Sequence, residues 1–512
     1  MPLPLLARTT DDDVRYLLTP AGRTDMPHEG RPRMPDRAPL PGEQYRFHFD
    51  MGRCIGCKCC VVACNEQNGN PAAINWRRVG EIEGGYFPAA SRVYLSMGCN
   101  HCVEPTCLKG CPVDAYTKDP ATGIVRHSAD ACIGCQYCTW NCSYGVPQYN
   151  PDRGVVGKCD MCHGRVTSGQ SPACVSACPE GAITIEIVKT TDWRAAVAGA
   201  VPGRGVPVED GSVSTTKVTL PVLPPDARPV NLTHVSPEHA HWSLIIMTVL
   251  TQLSVGTFAT LWLLDLFGVA TSLGAAALTA LAVGLLALNA ATFHLGRPAH
   301  AYRALRMWRR SWLSREVLLF ALFSGVASAY AAVLWFGLPG ARAIGALTAL
   351  LGLAGVTASA SIYRVPSRPA WDTPFTLLQF NLTAAALGPL LAAAVGAGRT
   401  PWLGYAAAAI GALELLILAL RFLRLVASDR IELKGTARLL STTLRRHFLA
   451  RVALVGLGAV ALPLVVSSAA GFGLALVVAL TGEIVGRYLF FTSVVPTHMV
   501  SPYLESGSEA AA

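Results

Sequence analysis

The chain is too apolar for a soluble protein and too long for a single domain. Of its 512 residues, 52% are hydrophobic and 15% are charged, and the mean hydropathy is +0.38. All 17 cysteines fall between Cys54 and Cys178, and from residue 242 onward 19 basic and 9 acidic side chains give a net charge of +10. The cysteines therefore mark a separate module. The positive charge belongs to membrane loops and gives no reason to expect a nucleic-acid partner.

The first 240 residues divide into three parts. Residues 1–44 are rich in Pro, Arg and Asp and lack an apolar secretory segment, so we interpret them as a mobile tail. Residues 45–190 form the cysteine module, and alternating apolar residues at 45–49 and 183–187 predict two bracketing strands. Residues 191–240 carry repeated Pro and Gly, which predicts a linker lying along a surface.

Eight apolar runs follow, each about long enough to cross a hydrocarbon core of roughly 30 Å at about 1.5 Å per residue. They lie at residues 242–266, 271–293, 316–337, 343–363, 375–397, 402–423, 452–468 and 472–495. The seventh, which contains Pro463, is short. Buried soluble helices do not explain eight such runs with so few charges. We predict a membrane domain over residues 241–498, with both ends on one side, and a tail over 499–512.

Sixteen of the cysteines form four groups. The groups are Cys54, Cys57, Cys60 and Cys64; Cys99, Cys102, Cys107 and Cys111; Cys132, Cys135, Cys138 and Cys142; and Cys159, Cys162, Cys174 and Cys178. A C-x2-C-x2-C turn places three thiolates around one cluster, and the Cys three or four residues later points to the neighbouring cluster. The pattern therefore predicts four [4Fe-4S] clusters with these sixteen cysteines as iron ligands.

Other uses of the cysteines fit less well. An odd count with metal-thiolate spacing argues against disulfides. The pairs Cys99/Cys102 and Cys159/Cys162 could be halves of a zinc ribbon. A zinc site, however, needs four ligands of its own and gives no role to a fourth Cys before a Pro that is shared with a neighbouring site. The seventeenth, Cys59, is predicted to be a buried thiol without a ligand role.

The module resembles the four-cluster iron–sulfur subunit of the dimethyl sulfoxide reductase (molybdopterin oxidoreductase) family. The similarity is carried by NWRRV at 75–79, YLSMGCNHC at 94–102, CIGCQYC at 132–138, YGVPQYN at 144–150 and KCDMC at 158–162. It implies two interleaved ferredoxin-like halves, in which the first and fourth groups share two clusters and the second and third groups share two. Cys135 stands where relatives with a three-iron cluster have Trp, so four cubanes are expected.

The membrane part resembles the anchor subunit of the same enzymes. The motifs are HAHWSLII at 239–246, HLGRP at 294–298, WLSRE at 312–316, YRVPSRPAWDTP at 363–374 and GEIVGRY at 482–488. Together the resemblances imply an α+β double ferredoxin-like iron–sulfur domain followed by an all-α bundle of eight transmembrane helices. Two chains of the family are joined here, which changes stoichiometry and not chemistry.

Histidines and in-span charges suggest how electrons enter. Every His after residue 233 precedes the first span or lies on the module's side; these are His234, His239, His241, His294, His300, His447 and His498. Since b-type haem takes His ligands from within spans, we expect no haem, and menaquinol or ubiquinol as the carrier. The ionisable candidates within spans are Asp265, Glu316, Glu414, Glu483 and Arg487.

His294 and Glu316 match the family's quinol-site residues, so the resemblance implies that they form the quinol site. A neutral imidazole accepts one hydroxyl proton and the carboxylate relays the second. The alternative is a His bonded to backbone and a Glu favoured by the helix dipole. Glu483 and Arg487 stand one helical turn apart, which favours an internal ion pair.

Basic residues are unevenly distributed between the two membrane faces. Sixteen lie in loops on the module's side, against only Arg342 and Arg399 on the other. The positive-inside rule therefore predicts a multi-pass protein of the cytoplasmic membrane with the module facing the cytoplasm. The alternative is that these arginines dock the module and that a partner with a twin-arginine signal carries the assembly out.

Four clusters would form a chain of electron carriers, which we call the wire. The sequence has neither a nucleotide-binding G-x-G-x-x-G after a strand nor a P-loop. We therefore predict an electron-transfer and membrane-anchor subunit of a quinol-linked oxidoreductase in anaerobic respiration. It would pass electrons between the quinone pool and a separate molybdopterin catalytic subunit, and its helices would contact membrane lipid. The alternative is a redox-sensing or ion-transporting membrane protein, but a sensor needs one labile cluster.

Overall fold

A computed structural model describes residues 33–200, 206, 211–224, 226–230, 235–269, 273–397, 401–497 and 499. Most of the predicted N-terminal tail and nearly all of the C-terminal tail lie outside the described residues. The described end of the N-terminal tail packs on the module, because Arg33 donates hydrogen bonds to the carbonyls of Val175 and Ser176 at 3.2 and 3.1 Å.

The two predicted bracketing strands pair with each other. They are β1, Glu43–Asp50, and β8, Ile183–Lys189, which run antiparallel in one sheet. The other strands are β2 Arg78–Gly84, β3 Ser91–Met97, β4 Tyr116–Lys118, β5 Val125–His127, β6 Gln148–Asn150, β7 Val155–Gly157, β9 Lys217–Thr219 and β10 Arg228–Pro229. Six short helices lie among them, at Cys59–Asn68, Thr106–Gly110, Tyr137–Asn141, His163–Thr167, Ala173–Ser176 and Thr190–Ala198. The expected α+β ferredoxin-like architecture is confirmed.

The linker is more deeply embedded than its composition suggests. Strand β9 adds to β1 in parallel, and β10 pairs with β2. Just before β9, Ser214 and Thr215 are fully buried, and Thr215 donates a 2.6 Å hydrogen bond to the carbonyl of Asn100 in the second cysteine group. The linker therefore does not simply lie along a surface, because its polar backbone and hydroxyl groups pair with an otherwise open cysteine loop.

Among the residues that the structure describes, eight helices are long and apolar enough to cross a membrane, as predicted. They are Trp242–Leu266, Gly274–Thr292, Trp312–Phe336, Ala341–Ile362, Pro374–Ala394, Trp402–Ala427, Arg445–Val465 and Ala469–Thr492; we call them the first to eighth spans. The first span is central, because 78% of an apolar 18-residue stretch of it is buried inside the protein. It crosses the fifth span in close backbone contact: a Cβ at Gly256 would lie 2.6 Å from the carbonyl carbon of Ala384.

The seventh span differs from the sequence prediction. It begins at Arg445, seven residues before the expected start, and it contains a π-helical turn at Gly456–Ala461. Its first residues include several charged side chains, which are typical of a loop. In the structure one of them, Arg451, is buried against Glu414 of the sixth span. Because its charge is compensated there, Arg451 can lie within the helix and the span can begin before it.

The module and the membrane domain share a continuous apolar core. Residues of the third cysteine group, including Tyr137 and Trp140, belong to the same buried cluster as the spans. A second cluster around β1 and β8 contains Cys60 of the first group and Cys159, Cys174 and Cys178 of the fourth, together with Cys99 of the second. One half of the module is therefore built directly on the membrane anchor, and the other half stands away from it.

Candidate functional site

The cysteine turns are shaped by residues in left-handed backbone conformation. In the third group Gly134 and Gln136 have φ of +70° and +59°. This geometry turns backbone N–H groups toward sulfur: Gly134 donates to Cys132 Sγ at 3.4 Å, and Met161 donates to Cys159 Sγ at the same distance in the fourth group. Hydrogen bonds of this kind favour the thiolate, which is the form that binds iron.

One set of four thiols surrounds a single cavity. Cys54, Cys57 and Cys60 of the first group line it together with Cys178 of the fourth. The fourth thiol therefore comes from a remote part of the sequence. Four sulfur atoms around one space, with the Ala182 N–H directed at Cys178 Sγ at 3.2 Å, fit a cubane cluster.

The other cysteines also approach partners from a second group. Thiols that lie close enough to influence each other's charge can be grouped into sets. These sets are Cys64 with Cys162 and Cys174; Cys159 with Cys64 and Cys174; Cys107 with Cys99 and Cys142; and Cys111 with Cys132, Cys135 and Cys138. Most of these neighbours combine the first group with the fourth or the second with the third, although Cys159 of the fourth group also has Cys99 of the second among its neighbours. This arrangement fits the interleaved ligation that the resemblance implied. All sixteen cysteines stand as proposed ligands.

Cys59 is not a buried thiol. Its side chain is exposed at the start of the helix Cys59–Asn68, next to Cys57. The expectation of burial was wrong because the helix turns this position toward solvent while Cys60 and Cys64 point inward.

We expect Cys59→Ser to keep all four clusters, because its thiol does not line the cavity of the first group. Cys57→Ser should remove or convert one cluster, since it takes one of the four thiols from that cavity. Iron content and low-temperature paramagnetic resonance of the reduced protein measure both effects. Loss of a signal in the Cys59 variant would mean that the ligands of the first group are misassigned.

Trp140 connects the third cysteine group to the membrane domain. It lies between Cys138 and Cys142, and its ring centroid is 5.3 Å from that of His241, 5.7 Å from Tyr363 and 5.7 Å from Trp371. The Ser367 hydroxyl donates a hydrogen bond to the Trp140 carbonyl. The tryptophan is thus inserted into an aromatic box made by the loops and ends of several spans.

His294 lies in this same box. Its Nε2 bonds the carbonyl of Cys135 at 3.1 Å, its ring stacks on Trp140, and its centroid is 5.5 Å from that of His241. Burial lowers the pKa of His294, with a smaller opposing effect from the Cys135 carbonyl. The imidazole is therefore neutral near pH 7, and because Nε2 donates its hydrogen, Nδ1 carries the lone pair.

Glu316 lies in the third span and is 6% exposed. Its carboxyl contacts the Ser359 hydroxyl of the fourth span, and its charge reaches Tyr137 of the third cysteine group. The span begins at Trp312, four residues earlier than predicted, so Glu316 stands beyond the first helical turn, where the dipole effect is weak. His294 and Glu316 both approach the third group, although no hydrogen bond joins them within the described ranges.

A cavity of about 990 Å³ opens between the module and the membrane domain beside this box. Its lining includes Trp140, Cys142, His239, His241 and Arg368. Of these, the sequence selected only Cys142, as a cluster ligand, and did not select Trp140, His239, His241 or Arg368 as site residues. The pair His239 and His241, just before the first span, was a usable signal, whereas Trp140 has none apart from its place between two cysteines.

The prediction of an ion pair between Glu483 and Arg487 is wrong. Arg487 instead donates to Gln252 at 3.0 Å and lies over the Phe380 ring at 3.6 Å. Glu483 accepts a hydrogen bond from Thr383 at 2.9 Å. One-turn spacing permits a pair within the eighth span, but neighbouring spans supply closer partners.

Arg451 is the centre of a buried charge network. Its Nη2 lies 3.0 Å from Glu414 Oε1 and 3.9 Å from Glu483 Oε2, and all three side chains are less than 7% exposed. The network joins the sixth, seventh and eighth spans. The fifth in-span candidate, Asp265, lies at the opposite end of the first span, near Tyr330.

Some of the basic loop residues bind the module. Arg297 donates to the carbonyl of Ala129 at 2.8 Å, Arg303 to that of Asp130 at 2.9 Å, and Arg310 to the Asp114 carboxylate at 2.8 Å. Part of the charge asymmetry is therefore explained by docking.

Two family models match the chain. A 4Fe-4S dicluster domain matches residues 90–187, and the DMSO reductase anchor subunit (DmsC) matches residues 237–492. Among curated proteins, a component of the anaerobic dimethyl sulfoxide reductase of Haemophilus influenzae is 43% identical over 146 residues, covering 27% of this chain and 71% of the relative. The corresponding component in Escherichia coli is 42% identical over 144 residues, covering 27% and 70%. A component of the sulfite dehydrogenase of Allochromatium vinosum is 34% identical over 176 residues, covering 30% and 73%.

Proposed function

This protein belongs to the dimethyl sulfoxide reductase family, as an iron–sulfur subunit fused to a membrane anchor, and we propose that it passes electrons between membrane quinol and a separate molybdopterin catalytic subunit. The electron-transfer and membrane-anchor roles follow from the family. The observation that carries the quinol proposal is the insertion of Trp140 into the membrane domain, where it contacts both His241 and His294. A redox sensor would not need a cluster site built into its anchor.

The two ends of the proposed wire differ in their surroundings. The set formed by Cys111, Cys132, Cys135 and Cys138 shares its core with the spans. The cavity of the first group lies in the other half of the module, with Cys57 exposed and Ile55 59% exposed beside it. The clusters, when bound, supply the one-electron carriers. Electrons would exchange with quinol at the first of these ends and with the catalytic subunit at the second.

The quinol head group would lie among the side chains that surround Trp140. Quinol oxidation releases two electrons and two protons, so the site needs a cluster and proton acceptors on the same side of the bilayer. Neutral His294 offers Nδ1 to one hydroxyl, and Glu316 offers a buried carboxylate for the second proton. The edge of the cavity near His241 and Arg368 gives the ring space beside Trp140.

We expect His294→Leu or Glu316→Leu to abolish reduction of the clusters by a menaquinol analogue. Both variants should keep their iron and remain reducible by dithionite, because neither residue is a ligand. Cluster absorbance after mixing with quinol, compared with dithionite, measures the effect. His300→Leu, in the 3-10 helix Pro298–Leu305 of the same loop, is the matched control. Normal quinol reduction in both test variants would exclude these residues from the site.

We also propose the cytoplasmic membrane as the location, with the module on the cytoplasmic side. After the docking arginines are set aside, the adjoining ends of the sixth and seventh spans and the segment between them, which contains the helix Ile431–Ser441, still carry a group of basic residues. They are Arg424, Arg430, Lys434, Arg438, Arg445 and Arg446. Protease added to intact spheroplasts should leave the module undigested, and digestion from outside would reverse the assignment.

A further inference from the structure

Two cations are buried among the cysteine groups. Arg77 is 2% exposed and Lys158 is 3% exposed. Within the described ranges, neither forms an ion pair with a carboxylate, and Nε and Nη2 of Arg77 have no hydrogen-bond partner. Lys158 Nζ bonds the carbonyl of Cys159 at 2.8 Å and lies 3.6 Å from Cys99 Sγ.

Arg77 lies between two cysteine sets. Its Nη1 donates to Ser96 Oγ at 3.0 Å, and Ser96 Oγ lies 3.4 Å from Cys60 Sγ. Its guanidinium is 4.7 Å from the Phe47 ring centroid. The ionisable groups closest to it electrostatically are thiols of the first and fourth groups, namely Cys174, Cys60, Cys159 and Cys64.

A buried guanidinium without a counter-charge is strongly unfavourable. The charge that compensates Arg77 must therefore come from the cysteine sets themselves when they hold clusters. A cubane held by four thiolates is anionic and becomes more anionic on reduction. A fixed neighbouring cation and N–H donors directed at sulfur favour the reduced form and raise the reduction potential.

The set nearest the membrane has different surroundings. The nearest electrostatic neighbours of the thiols of Cys111, Cys135 and Cys138 are other cysteines, the Tyr116 side chain and backbone N–H groups. Trp140 and the spans complete its apolar environment. In the described part of the protein no lysine or arginine is among those nearest neighbours.

We propose that Arg77, with Lys158, raises the reduction potential of the clusters away from the membrane, so that these clusters hold electrons more strongly than they would without the two cations. The inference rests on the proposed function for the identity of the two ends. The two cations would hold electrons at the end of the wire that faces the catalytic subunit, while the direction of net flow is set by the potentials of the quinone and substrate couples.

The test is a redox titration of the full-length protein in membranes, followed by paramagnetic resonance of each cluster. Arg77→Met should shift the midpoint potential of one or both clusters of the first and fourth groups downward, and leave that of the membrane-facing cluster unchanged. Arg77→Lys keeps the charge and should stay close to the unaltered protein. Arg92→Met, which removes an arginine paired with Glu83 on the surface, is the matched control.

Unchanged potentials in a fully loaded Arg77→Met protein, or an equal shift of all four clusters, would overturn the proposal. If the methionine variant loses iron, Arg77→Gln keeps a donor to Ser96 without the charge and gives the same comparison. Midpoint potentials are equilibrium quantities that are measured with soluble redox mediators, so their values do not depend on electron transfer from quinol. A failure of the His294 and Glu316 test is therefore distinguishable from a failure here.

Discussion

Gly296→Val is expected to disconnect the clusters from the quinone pool while both domains stay folded. A Cβ at this position would lie 2.6 Å from the carbonyl carbon of Gly154 and 2.7 Å from the Tyr149 hydroxyl. The loop cannot retreat without losing its bonds to the third cysteine turn, where the Arg297 N–H donates to the Ile133 carbonyl at 3.1 Å. The bulkier residue therefore moves the His294 loop away from that turn.

The rate of cluster reduction by quinol should fall by on the order of 100-fold, the loss that a misplacement of about 1 Å can cause. Reduction by dithionite and iron content should be unchanged. Stopped-flow absorbance measures both rates. Gly325→Val in the third span, where a Cβ would meet no atom within 4 Å, is the matched control. Quinol reduction at the control rate would show that this close contact does not hold the site together.

Arg451→Met is expected to destabilise the membrane domain strongly. The methionine leaves Glu414 and Glu483 facing each other without the guanidinium that both now contact. Removing one partner of a buried ion pair costs about 3–5 kcal/mol, because the remaining charge is uncompensated. The space for the guanidinium is provided by Gly486, where a Cβ would lie 2.6 Å from Arg451 Cζ. A cysteine-independent thermal unfolding assay in detergent measures the effect.

The network also predicts a rescue. The double change Arg451→Met with Glu414→Gln removes a charge of each sign, so it should recover part of the lost stability. Arg445→Met, at the start of the same span, removes an exposed arginine and is the control. Equal stability of Arg451→Met and the control would mean that the two carboxyl groups are neutral in the folded protein and need no cation.

The sequence alone was sufficient for features that depend on local chemistry. Each cysteine turn is specified by the spacing of its ligands and by residues such as Gly134 that take the left-handed conformation. The spans follow from their apolar length, since backbone groups in lipid must bond within one helix. The alternating residues of β1 and β8 likewise predicted both strands, whereas their pairing with each other was seen only in the structure.

Only the tertiary structure decided which distant groups meet. The sequence placed Arg451 in a loop, whereas in the structure it contacts Glu414 of the sixth span and Glu483 of the eighth. Arg487 donates to Gln252 of the first span and does not pair with Glu483, one turn away on its own helix. The contact of Trp140 with His294 likewise joins two domains across more than 150 residues of sequence. Spacing along one helix or turn limits which contacts are possible, but the partner of a buried charge or ring is the group that packing brings nearest, and packing depends on the whole fold.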